Sequence, residues 1–132
     1  MKHKVSLGKS NFKRIIENKS FFVDKSLFVK EVIEEGSEVV LITRPRRFGK
    51  SLNFSMLKYF FDIKEDSREL FKGLKISREK ESLMHMNKYP VVDMTLKDVI
   101  GSSWENTKDV LRVKVGKIYE KFKDDVWDCL TD

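Results

Sequence analysis

The chain has 132 residues, 36% of them charged and 40% hydrophobic, which is enough for one domain with a core and reads as globular rather than disordered. No apolar run approaches the roughly 18 residues that cross a bilayer, no apolar leader follows Met1-Lys2-His3-Lys4, and the single Cys129 can form no internal disulfide, so a cytoplasmic protein is expected. The 27 Lys and Arg residues outnumber the 21 Asp and Glu by a net +6, which favours phosphate-bearing partners without choosing between nucleotide and nucleic acid.

From the N-terminus, Asn11 to Asn18 carries Phe12, Ile15 and Ile16 at helical spacing. Phe21-Phe22-Val23 reads as an extended link and Asp24 as the N-cap of a helix bearing Leu27, Phe28, Val32 and Ile33, which Gly36 stops. Residues 1–36 form an N-terminal helical segment in this reading, and 37–132 hold the rest of the domain. The unbroken apolar run Val39-Val40-Leu41-Ile42 predicts a strand over Glu38 to Thr43, covered on both faces. Pro45 ends it. A helix follows from Lys50 to about Phe61, with Leu52, Met56, Tyr59 and Phe60 on one side.

Asp66 to Met86 is polar and helix-prone, with an apolar break at Phe71, Leu74 and Ile76 around Gly73. Tyr89-Pro90 is a stop, and Val91 to Thr95 is a second strand candidate. Gly101-Ser102-Ser103 is a turn. A last helix runs from about Trp104 to Leu130, with Leu111, Val115, Ile118, Tyr119, Phe122, Val126 and Leu130 as a buried stripe and Cys129 on its apolar face. Strand, loop, helix, strand and helix predict an α/β fold. Its parallel sheet is incomplete and flanked by helices in three layers, so the chain reads as the N-terminal portion of a larger domain or as one that needs a partner.

The chemistry concentrates in Arg44-Pro45-Arg46-Arg47-Phe48-Gly49-Lys50-Ser51. Gly-Lys-Ser between an apolar strand and a helix is the form of a phosphate-binding loop, with backbone N–H groups and a helix dipole aimed at one anion. Gly49 lets the backbone approach a phosphate, Lys50 can reach the β- and γ-phosphates, Ser51 can give its hydroxyl to Mg²⁺, and N–H groups from Phe48 to Leu52 would form the cradle. The full pattern asks for a glycine at the position of Arg44. Arg44, Arg46 and Arg47 either grip phosphate in its place, contact nucleic acid, or are solvated loop charges that pair with acids such as Asp24.

Asn11 to Glu17, Phe22-Val23-Asp24-Lys25-Ser26, Leu41 to Leu57, Leu70 to Ile76 and Tyr89-Pro90-Val91-Val92 together resemble the predicted AAA-ATPase-like family. These are bacterial and archaeal P-loop proteins, often fused to a C-terminal restriction-endonuclease-like nuclease domain. The resemblance covers about residues 9–100. The family is similar in carrying arginine where the first glycine usually stands. The resemblance implies a P-loop NTPase-like fold, binding of ATP with Mg²⁺ by Gly49, Lys50 and Ser51, and a homo-oligomer as a partner state.

Such ATPases also need an acid at a strand end. Asp93 is the catalytic candidate; Met94 and Thr95 follow it where a second acid is usual, and a plain turn residue is the other reading. An ATP-binding module with doubtful hydrolysis is the first functional reading. A basic nucleic-acid-binding module and an inactive fragment of a larger ATPase or nuclease are the alternatives.

Overall fold

The structure, a computed structural model, describes residues 10–130, with side chains described to residue 123. The described residues divide into two units, one ending at Val91 and the other beginning at Val92. The first holds helices α1 (Phe12–Glu17), α2 (Leu27–Glu35), α3 (Lys50–Phe61), α4 (Arg68–Phe71) and α5 (Lys80–Leu83), with a 3₁₀ turn at Lys75–Arg78. The second holds α6 (Trp104–Leu130).

The expected α/β fold with a parallel sheet is not what forms. The described residues are helical and contain no β-strand; one isolated parallel bridge joins Asp62 to Tyr89. Residues 39–43 are non-helical but have no neighbouring strand, and Val39 and Leu41 are each 83% exposed. An apolar run becomes a strand only when another backbone takes its N–H and C=O groups. The second candidate, Val91 to Thr95, also forms no strand, and Val92 and Met94 are exposed.

Aromatic packing builds the core of the first unit. Phe12 of α1 stacks on Phe71 of α4 at 4.9 Å, Phe60 of α3 meets Phe71 edge-on at 5.2 Å, and Phe22 meets Phe12 edge-on at 5.5 Å. Val29, Met56, Leu70 and Ile76 complete the buried cluster. Each such side chain contributes about 1.5–3 kcal/mol through burial. The short α1 could not persist alone. It is held by Asn11, whose side chain accepts from the Arg14 amide at 3.0 Å, and by the Phe12 amide, which donates to Ser55 Oγ of α3 at 3.0 Å.

Helix α3 is anchored at its C-terminal end. The last carbonyls of a helix lack partners within it, and here each of the last four finds one. Lys58 O accepts from the Asp62 amide, Phe60 O from the Asn87 amide, and Phe61 O from the Tyr89 amide. Tyr59 O accepts from the buried Ser67 hydroxyl at 2.5 Å and from Asn87 Nδ2 at 3.2 Å. The opposite end of α3, which opens at Lys50, points into the basic loop.

Helix α2 begins differently from the expected Asp24 cap. Ser26 occupies the N-cap position, and Asp24 sits two residues earlier. Its carboxylate accepts from the Ser26 amide at 2.9 Å and from the Lys75 amide at 2.8 Å, while Ser26 Oγ accepts from the Ile76 amide at 3.1 Å. Asp24-Lys25-Ser26 thus clamps the start of α2 to the 3₁₀ turn. Gly36 ends α2 as expected, in the left-handed region at φ 61°.

Desolvation raises the Asp24 carboxyl, but hydrogen bonds from the Ser26 hydroxyl and amide and the Lys75 amide, with the Lys75 charge, outweigh it and hold the group below the usual carboxylate range. A depressed folded pKa means that this stabilisation is present above the unfolded value of about 3.9 and is lost as pH falls through the lower folded value. Asp24→Asn is expected to cost about 1–2 kcal/mol at pH 7. Urea melts should show the gap from wild type closing below about pH 4; a gap that does not change with pH would refute the charged clamp.

In the second unit, Lys114 of α6 donates to the carbonyls of Thr95 at 3.1 Å and Lys97 at 2.8 Å. Gly101 lies so close to α6 that a Cβ there would fall 2.7 Å from Asn106 Cβ and from the Thr107 amide, so glycine is required. The expected buried stripe of α6 is only partly buried. Leu111 and Ile118 are half-buried and Phe122 is buried, but Val115 and Tyr119 are 55% and 66% exposed. The side chains of Val126, Cys129 and Leu130 lie outside the described residues, as do His3 and the rest of the N-terminus. No helix among the described residues is long and apolar enough to cross a membrane.

Candidate functional site

Two left-handed residues shape the loop before α3, Arg47 at φ 69° and Gly49 at φ 77°. A Cβ on Gly49 would meet nothing within 4 Å, so the backbone angle, rather than crowding, calls for glycine. The same angle at Arg47 costs about 1 kcal/mol. Gly49 occupies the N-cap position of α3, and its carbonyl accepts from the Asn53 amide at 2.9 Å.

Lys50 is the first helical residue. Its ammonium folds back over the loop and donates to the carbonyl of Arg44 and, at 3.5 Å, to that of Pro45. The first N–H groups of α3 have no partner within the helix, and its first turn contains no acid. The helix dipole, the Lys50 ammonium and the loop arginines therefore all favour an anion at this end of α3. Ser51 is exposed, as are Arg44, Arg46 and Arg47. Leu52 turns inward and packs against the core. Asp24, considered above as a partner for the arginines, is engaged by Ser26 and Lys75.

A groove of about 580 Å³ adjoins the loop. Arg44, Phe48 and Lys50 line it from the loop side, Ile42 and Asn53 flank them, and Asp24, Lys25, Leu27, Phe28, Glu31 and Lys75 form the opposite wall. The sequence shows the loop but not this groove, because its walls converge from segments far apart in the chain. The sole hint was that Phe22 to Ser26 is among the segments that carry the family resemblance.

Asp93 belongs to the second unit, in an exposed segment that forms no strand. Among the described residues no group of three or more His, Cys, Asp or Glu is arranged to hold a metal ion. The chemistry available for Mg²⁺ at the loop is the Ser51 hydroxyl together with the oxygens of a bound phosphate.

Fold and loop together define a class: a helical unit with a basic loop closing on Gly-Lys-Ser at a helix head. The family model described as Predicted AAA-ATPase matches residues 6–128, and the chain belongs to that family. It is also similar to a protein of Azotobacter chroococcum mcd 1, described as an uncharacterized protein in the vnfD 5' region, at 39% identity over 74 residues. That match covers 55% of this chain and 14% of the relative. No solved structure matches the chain significantly.

Proposed function

We propose that this member of the predicted AAA-ATPase family binds Mg-ATP through Arg44 to Ser51. The observation that carries the reading is the Lys50 ammonium, folded over a loop that also receives the acid-free N-terminus of α3. On binding, the ammonium exchanges the Arg44 and Pro45 carbonyls for phosphate oxygens, and N–H groups from Phe48 to Leu52 donate to the same anion. Arg44, Arg46 and Arg47 offset the remaining charge, taking the place of the absent first glycine. Mg²⁺ would be held by the Ser51 hydroxyl and would offset charge on the phosphates.

Hydrolysis rests on Asp93 alone, which no second acid follows, so slow turnover by this chain is expected. Oligomerisation, a nuclease-like domain and contact with nucleic acid are proposals for the longer protein. Millimolar Mg-ATP is expected to raise the Tm by several degrees, since ligand at 100 times Kd adds about 2.7 kcal/mol. An unchanged Tm at saturating concentration would sink the reading.

A further inference from the structure

The loop accounts for the phosphates of a nucleotide but leaves the adjoining groove unused. We propose that this groove receives the nucleoside half of the same ligand, with Phe48 as the face on which the base stacks. The inference rests on the phosphate-loop reading and adds a ligand subsite to it.

Three observations point this way. First, Arg44, Phe48 and Lys50 line the groove and also belong to the loop, so a ligand held by the loop enters the groove without a break. About 580 Å³ lies within the range of small-molecule sites, roughly 300–1,000 Å³. Second, the walls differ in charge. The loop wall carries Arg44 and Lys50 with no acid, whereas on the α2 wall Asp24 and Glu31 are matched by Lys25 and Lys75. A polyanion gains on the loop wall only, and the far wall suits an uncharged body with hydrogen-bond donors, such as sugar hydroxyls or the amines of a base. Third, Phe48 is 58% exposed and lines the groove. An aromatic ring left exposed at a groove mouth is a stacking surface for any base. Phe28 faces the groove from α2 while packing on the core, so its position is fixed.

The test compares Mg-ATP with Mg-tripolyphosphate, which carries the phosphates without a nucleoside, by titration calorimetry. Wild type should bind ATP at least about tenfold more tightly than tripolyphosphate, the order of one base stacked on an aromatic ring. Phe48→Ala should lower ATP affinity more than tripolyphosphate affinity and so remove most of that difference. Because Phe48 is exposed, the variant should melt like wild type, which the same samples can verify. Equal affinity of wild type for the two ligands, or an equal loss of both in Phe48→Ala, overturns the groove assignment and leaves the loop reading standing. Failure of wild type to bind either ligand overturns both.

Discussion

Phe71→Ala is expected to unfold most of the first unit near physiological temperature. Phe71 is 1% exposed and touches the rings of both Phe12 and Phe60. Truncating a buried phenylalanine costs about 3–5 kcal/mol through lost transfer energy and the cavity left behind. The two ring pairs add about 0.5–1.5 kcal/mol each beyond their area. A unit of this size has only about 0.05–0.15 kcal/mol of stability per residue, so one such loss takes much of the total. Thermal melts followed by circular dichroism should show Tm falling by more than about 10 °C. Phe54→Ala is the control: Phe54 lies on α3 but is 52% exposed, and its loss should move stability by about 0.5 kcal/mol or less. If the two variants melt alike, the aromatic cluster is not the core of this unit.

That cluster marks the limit of what the sequence discloses. Helical periodicity is local, so α1, α2, α3 and α6 were legible from residues three and four apart, with Gly36 placed correctly as the stop of α2. The pairing of Phe12 with Phe71 was not, because their spacing follows no period. The strands failed for the same reason. Val39 to Ile42 has the composition of a covered strand, but composition does not supply the second backbone that a ladder needs. Asp24 shows a third form of the limit. Its position before an apolar helical pattern suggested a cap, while one of its two backbone contacts is to Lys75, 51 residues away. The loop is contiguous, so the sequence names its residues directly: within the run from Arg44 to Ser51, Gly49 takes a left-handed angle as the N-cap of α3.

Lys50→Ala is the substitution expected to act most strongly on ligand binding. In wild type the ammonium is engaged by the carbonyls of Arg44 and Pro45 at the protein surface. Water can replace those contacts, so the variant should keep its stability to within about 1 kcal/mol. Binding is affected differently. On the proposed reading, a phosphate at the head of α3 would keep its N–H donors but lose the Lys50 ammonium, and charge-assisted hydrogen bonds are roughly twice as strong as neutral ones. An affinity loss of about 100-fold is expected, enough to erase the Tm rise at millimolar Mg-ATP. Lys72→Ala removes the same charge from a side chain that is 75% exposed and paired with its near neighbour Glu69. If both variants weaken ATP binding equally, the net positive charge of the chain binds the nucleotide and the loop has no special role. If Lys50→Ala alone abolishes the shift while its own melt stays at the wild-type position, the ammonium acts at the phosphates, where a diffuse basic surface could not produce the same difference.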